Sequence, residues 1–300
     1  MLKFFAARPI KRYSALGLLM VSVLGMIVII NLIETRPYMA YAHVQAALPH
    51  FDHIVIAVEE NHSYAQIIGS GSAPYINSLV SQGALFTNSH AISHPSEPNY
   101  LALFAGSTFG IASDACPEHL APPDLGGELS GNGDSFAGYS ETMPSAGFTG
   151  CSFPGSALYA RKHNPWSDFS DTAGQQTNKP LTSFPGSFSA LPTVSFVVPN
   201  QQDDMHSGSI EAADGWLKDH LGGYIQWTKT HNSLFILTWD EDNGSSANHI
   251  ATIFVGAHVK SGRYSESINH YSLLHAIESI YGLAFTRNAT NAATIRDVWA

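Results

Sequence analysis

The stretch His94-Pro95-Ser96-Glu97-Pro98-Asn99 sets an imidazole, a hydroxyl, a carboxyl and an amide around two ring-stiffened positions. The apolar run Tyr100 to Ala105 follows without a breaker, and Gly106 supplies the left-handed residue expected after a last helical turn. Before it, Ala84-Leu85-Phe86-Thr87 has the character of a short buried strand. Ser96 therefore falls where a strand's exit loop meets a helix N-terminus, and there unpaired backbone N–H groups and the helix dipole favour an anion. A hydroxyl so placed is either a nucleophile beside an anion cradle or an ordinary helix N-cap. The Asn99 amide is a ready donor to an oxygen of such an anion.

Three more polar clusters carry chemistry. Glu59-Glu60-Asn61-His62-Ser63 ends the β-rich apolar run Phe51 to Val58. Asp203, Asp204 and His206 follow the strand-like Thr193 to Val198 and its exit Pro199-Asn200. Asp240-Glu241-Asp242 follows Leu234 to Trp239, and His270 immediately precedes a helix holding Leu273, Leu274, Ile277 and Ile280, closed by Gly282. Carboxylates, a hydroxyl and histidines thus recur just after apolar runs. In a doubly wound sheet such strand ends converge, and a convergent set of this kind suits a hard-to-borderline divalent cation. Acidic residues on solvent-facing loops would explain one such cluster easily and three poorly.

The elements that must hold these groups are also legible. Pro74 opens a short helix with Ile76, Leu79 and Val80 on one face and Gly83 as its stop. A longer helix runs from Asp214-Gly215-Trp216-Leu217 to about Thr230, and Ile250 to Val255 is a further strand. Between about Ala112 and Leu191 the periodicity weakens and Gly, Pro and Ser abound, which predicts a long excursion over the sheet's carboxyl edge. Within it stand two islands, Phe136 to Pro144 and Tyr159 to Pro165; His163 in the second reads locally as a loop histidine. The pattern predicts the α/β class, a mostly parallel central sheet with helices on both faces.

Composition narrows the function. Acidic residues outnumber Lys and Arg by 24 to 14, giving a net charge of −10, so nucleic-acid binding through a basic face is disfavoured. Fifteen histidines gathered near carboxylates suit metal or phosphate chemistry. Arg8, Lys11 and Arg12 precede an apolar run from about Tyr13 to Ile33, long enough to span a bilayer, and Ala40-Tyr41-Ala42 offers a small-x-small cleavage site. Residues 1–42 are thus expected to be an export signal or a membrane anchor, in contact with the membrane at least during export. Residues 43–300 are expected to form a single domain, secreted or held on the outer face of the cytoplasmic membrane. Cys116 and Cys151 are either one disulfide or two buried thiols; an oxidising compartment favours the bridge.

At these residues the sequence resembles the phosphoesterase family that unites bacterial acid phosphatases with phospholipases C, within the alkaline-phosphatase-like superfamily. The matching stretches are Val58 to Ser63, His94 to Leu103, Lys162-His163-Asn164-Pro165, Pro199-Asn200 with Asp204-Met205-His206, Thr238 to Gly244, and Ile268 to Tyr271. The likeness extends to the secreted acid phosphatases of mycobacteria, a subgroup acting on phosphoinositides among other monoesters. It implies an alkaline-phosphatase-like fold with Ser96 as nucleophile and Asn99 helping to hold phosphoryl oxygens. It implies that Glu60, Asn61, Asp240 and Glu241 bind a divalent metal of unknown identity. His163 and His206 would act near the substrate, as phosphate ligands or as the acid for the leaving oxygen. Asp203, Asp204 and His270 lie where two-metal relatives place a second ion, although Glu60-Asn61 and Asp240-Glu241 depart from the alkaline phosphatase pattern and favour one. Sulfate ester cleavage is disfavoured, because Asn99-Tyr100 stands where sulfatases carry an Arg.

The expected function is that of an extracytoplasmic, metal-dependent acid phosphatase acting on a phosphorylated small molecule or a phospholipid headgroup. A phospholipase C-type phosphodiesterase would share the nucleophile and metal but must admit a lipid-bearing diester. A non-catalytic membrane-tethered binding protein is the alternative of another class, disfavoured by the retention of every polar strand-end motif.

Overall fold

The computed structural model describes residues 48–155, 158–245 and 247–300. The expected export segment lies outside the described residues, among which no helix is long and apolar enough to cross a membrane.

Strand β1 (His53–Glu59) is apolar at every position from Ile54 to Val58 and so has no face fit for water. Its alternate residues enter two different layers. Ile54, Ile56 and Val58 pack in one hydrophobic cluster, Val55 and Ala57 in the other. β1 pairs in parallel with β5 (Val194–Val198) on one side and β6 (Ser233–Trp239) on the other. These belong to a nine-stranded sheet with β2 (Ala84–His90), β3 (Phe136–Ser140), β4 (Asn178–Pro180), β7 (His249–Gly256), β8 (Gly262–Tyr264) and β9 (Ile268–Asn269). The order is β4-β3-β5-β1-β6-β7-β2-β8, with β9 also paired to β2. Only β7 runs antiparallel to its neighbours, β6 and β2, so the sheet is mostly parallel.

Helices cover both faces. The helices α1 (Tyr64–Ile67) and α2 (Pro74–Val80) begin the chain's helical set, followed by α3 (Ser96–Ala105), α4 (Leu125–Asn132), α5 (Ile210–Thr228) and α6 (His270–Tyr281). Tyr100, Leu101 and Phe104 of α3 pack with Leu273, Leu274 and Ile277 of α6 on one face. Ile76 and Leu79 of α2 pack with Trp216, Leu217 and Leu221 of α5 on the other. All ten residues of α3 are buried, which a helix must be apolar or well bonded on every side to tolerate. Gly106 closes it at φ 68°, and a Cβ there would run into the Thr286 carbonyl.

The expected long excursion over the sheet's carboxyl edge is corrected in part. Residues 112–191 supply α4, β3 and β4, and β3 lies inside the sheet against β5. Its sequence, Phe-Ala-Gly-Tyr-Ser, is too short and too rich in small residues to announce a strand. Gly138 is required because the Trp166 indole packs where a side chain would stand.

Cys116 and Cys151 are bridged, and no cysteine is free among the described residues. The closed loop spans 35 residues, for which loss of chain entropy in the unfolded state gives roughly 3–4 kcal/mol. A Cys116→Ser/Cys151→Ser variant should lose about that much in urea unfolding; an unchanged midpoint would show that the bridge contributes nothing to stability.

Candidate active site

Three parallel strands deliver the acidic groups. Glu59 of β1 is in register with Trp239 of β6, so Glu60 and Asp240 emerge side by side. Backbone bonds lock the exits together: Asp240 N–H donates to the Glu59 carbonyl (2.9 Å) and Glu60 N–H to the Asp204 carbonyl (2.8 Å). Asn61 turns the chain at φ 54°, and its N–H donates to Asp240 Oδ1 at 3.2 Å. Asn is among the residues that adopt this left-handed backbone most readily.

Ser96 arrives from farther along the sheet. The loop after β2 is carried back by Asn99, whose amide oxygen accepts from Ile92 and Ser93 N–H and whose amide nitrogen donates to the Ser93 and Pro95 carbonyls. Asn99 therefore braces the serine loop. Pro95 occupies the capping position and Ser96 is the first helical residue, so its hydroxyl does not cap the helix. Instead it donates to Glu60 Oε2 at 3.1 Å. Tyr100, one turn on, donates to Glu60 Oε1 at 2.6 Å.

His163 closes the far side. Its Nε2 lies 3.1 Å from Glu60 Oε1 and its Nδ1 3.4 Å from Asp204 Oδ2, and its ring stacks on Tyr100. Ser96, Glu60, Asp240 and His163 are 2%, 0%, 1% and 1% exposed. His206 is half-buried, with its ring 5.8 Å from that of His163. Its backbone N–H donates to Asp204 Oδ1, and its ring Nδ1 meets the Ser207 hydroxyl.

This cluster is short of positive charge. Burial, then the charges of Asp240 and Asp204, push the Glu60 carboxyl well above its ordinary range. Burial and the neighbouring Glu241 do the same to Asp240, and burial raises Asp204 to about 7. His163 is held well below the usual imidazole range, by burial and then by Lys162. It is therefore a neutral donor with a free lone pair. Asp240 Oδ2, Asp204 Oδ2 and His163 Nε2 have no hydrogen-bond partner although all are buried. The close Nε2–Oε1 approach thus lacks hydrogen-bond alignment, as expected of two ligands turned toward a common cation. One ligand atom each from Glu60, His163 and His206 lies within 4.8 Å of the others. This nitrogen–oxygen set and the orphaned carboxylate oxygens fit a divalent ion.

The expected metal set Glu60, Asn61, Asp240 and Glu241 is brought together only in part. Glu60 and Asp240 flank Ser96, and Asn61 reaches Asp240 through its backbone. Glu241 turns aside, with Oε2 2.8 Å from His94 Nδ1. Asp204 stands beside His163, whereas Asp203 accepts from the Asn200 amide at 2.7 Å. His270 is buried and donates through Nε2 to the Asp240 carbonyl at 2.6 Å, a brace behind the acid. Burial holds it near pKa 4, so it stays neutral.

Two contributors are hidden in the sequence. Tyr100 reads there only as an apolar helix residue, yet its hydroxyl holds the central carboxylate. Lys162 stands in one of the matching stretches with no role of its own, yet its ammonium bears on Glu60, Asp204, Glu241, His163 and His206. Its place one residue before His163, inside a matching stretch, is the signal that could have marked it.

A family model described as the Phosphoesterase family matches residues 70–284. The chain is 48% identical over 297 residues to the phosphatidylinositol-3-phosphatase of Mycobacterium tuberculosis, covering 98% of this chain and 97% of that protein. It is 33% identical over 226 residues to the phosphate-repressible acid phosphatase of Penicillium chrysogenum, covering 69% of this chain but only 54% of the fungal protein. Among solved structures, an alkaline phosphatase superfamily protein from Vibrio parahaemolyticus superposes with a TM-score of 0.54 at 12% identity. That match covers 82% of this chain and 71% of the other, and it shows a shared fold. With its family model spanning most of the length and a near full-length relative at this identity, the chain belongs to the Phosphoesterase family.

Proposed function

We propose that this protein is a metal-dependent phosphatase that cleaves phosphate monoesters through a Ser96 nucleophile. The observation that carries it is the buried hydroxyl of Ser96 donating to Glu60, at a helix N-terminus flanked by Asp240 and His163. Phosphatase activity on phosphate esters is further supported by the activities named for its relatives.

Each residue has a distinct part. Ser96 Oγ attacks phosphorus and the ester P–O bond breaks, while Glu60 Oε2, already accepting the hydroxyl proton, takes it. Tyr100 fixes the other Glu60 oxygen, so the carboxylate cannot rotate away. The leaving oxygen takes up its proton at the mouth of the site, which His206 shares with solvent. Water then attacks the phosphoserine and the P–Oγ bond breaks; Glu60 returns its proton to Oγ, and the attacking water gives up a proton to solvent as phosphate leaves. Glu60, His163 and His206 would hold a divalent cation that neutralises the clustered carboxylates and eases deprotonation of the serine.

The substrate class we propose includes phosphoinositides phosphorylated at the inositol ring, in line with the relative of 48% identity. An extracytoplasmic location, with an N-terminal segment that contacts the membrane, is supported by the cation-then-apolar pattern of residues 8–33 and by the bridged cysteine pair.

His206→Ala separates two roles. Loss of an ion ligand should slow p-nitrophenyl phosphate and an alkyl phosphate alike, with partial recovery in excess metal. A loss of about 10²-fold or more confined to the alkyl ester would assign His206 to leaving-group protonation instead. Release of phosphate from p-nitrophenyl phosphate by the purified protein, with and without chelator, tests the function itself; no release with any added divalent metal would refute it.

A further inference from the structure

Lys162 is tied to the nucleophile's helix by one carboxylate. Asp114 Oδ2 accepts from Lys162 Nζ at 2.7 Å, and Asp114 Oδ1 accepts from the Glu97 N–H at 3.0 Å. Glu97 directly follows Ser96 in the first turn of α3, so Asp114 couples the ammonium to the turn that carries the hydroxyl. The lysine side chain is only 16% exposed, and its charge also bears on Glu60 and Asp240. A cation so placed stands within the acidic cluster that surrounds Ser96.

The segment bearing Asp114 is itself held. Cys116, two residues on, is bridged to Cys151, whose carbonyl accepts the Arg161 N–H at 3.1 Å. The Arg161 guanidinium donates to the Thr149 carbonyl at 2.7 Å and the Glu118 carbonyl at 2.9 Å, gripping both sides of the bridge. Arg161 precedes Lys162, so the same residues that close the bridge fix the start of the lysine's own turn.

We propose that Lys162 is the cation that receives an oxygen of the transferring phosphoryl group, and that Asp114 is the positioning residue holding it beside Ser96. Lys162 carries a compact charge on a flexible stem, and without a fixed partner it would spend much of its time in solvent. The charge-assisted bond to Asp114 removes that freedom before substrate arrives. The inference rests on the phosphatase function proposed above and concerns a pair to which that function assigns no part.

The test compares wild type with Asp114→Ala, Asp114→Glu and Lys162→Ala, and with the Asp114→Ala/Lys162→Ala double variant. KM and kcat for p-nitrophenyl phosphate, binding of inorganic phosphate by calorimetry, and thermal midpoints are read for each. Asp114→Ala should weaken inorganic phosphate and raise KM by about tenfold, more than it lowers kcat, with Asp114→Glu recovering much of the loss. In the Lys162→Ala background, Asp114→Ala should add little. Phosphate binding that is unchanged or tighter in Asp114→Ala would overturn the proposal, the latter marking Asp114 as a competitor for the phosphate's donors. An undiminished Asp114 effect without Lys162, or a loss that only follows a lowered thermal midpoint, would also overturn it. Failure of the wild type to turn over any monoester would refute the proposed function instead, while the phosphate-binding series would still report on Asp114 and Lys162.

Discussion

Ser96→Ala is expected to reduce monoester turnover by at least about 10⁴-fold while the protein stays folded. The hydroxyl makes no capping bond, because Pro95 fills the capping position and Ser96 is already inside the helix. Alanine is the residue best suited to a helical position, so α3 should form as before. What disappears is the atom that would bond to phosphorus. The substitution breaks the hydrogen bond to Glu60 Oε2; the Tyr100 bond to the other oxygen remains. A thermal midpoint within a few degrees of wild type, with activity at background, is the expected pair of readings. Activity within tenfold of wild type would remove Ser96 from the chemistry.

The second large effect concerns charge. Glu60, Asp204 and Asp240 crowd into a buried space, and each carboxyl is pushed upward by burial and by acidic neighbours. Without a cation such a cluster must hold protons, and a protonated Glu60 cannot accept the serine proton. Exhaustive chelation should therefore abolish turnover, and a divalent metal should restore it. Glu60→Gln should lose activity by about 10³-fold or more, since it removes both an ion ligand and the acceptor beside Ser96. Asp240→Asn keeps the shape and deletes one charge; it should demand a higher metal concentration for half-maximal rate. Full activity in chelated protein whose metal content is verified as nil would contradict the cation's role. Metal titration followed by protein fluorescence or calorimetry gives a readout independent of turnover, and wild type should bind more tightly than either variant.

Much of this site is legible in the sequence because of where its residues stand. Uninterrupted apolar runs such as Ile54 to Val58 and Leu234 to Leu237 point to buried strands of a parallel sheet, and such strands deliver their exit residues to one edge of the sheet. Glu60 and Asp240 can thus be put together from sequence, though 180 positions apart in the chain. The family resemblance brings in His163, whose local sequence says only loop. Other features depend on side-chain directions that no periodicity encodes. Glu241 follows Asp240 directly, yet it turns to His94. Asn99, expected to face phosphate, also holds the loop in which Ser96 sits, a task its sequence does not announce. Tyr100 hides a hydrogen bond to Glu60 within an apolar stretch. The strand β3 escapes because Gly138 yields its side-chain space to Trp166, which removes the alternation that marks a strand. The pairing of Asp114 with Lys162 crosses 48 positions and depends on a fold around the Cys116–Cys151 bridge.

A covalent intermediate on Ser96 is the central claim, and one measurement reaches it directly. The enzyme is mixed with a labelled phosphate monoester, quenched in acid during turnover, digested, and its peptides are sequenced by mass spectrometry. The phosphate should be found on the peptide containing His94 to Asn99, esterified to Ser96, and should be absent from Ser96→Ala. Label on a histidine, or none on the protein while an independent chiral-phosphate assay shows single-step inversion, would contradict it.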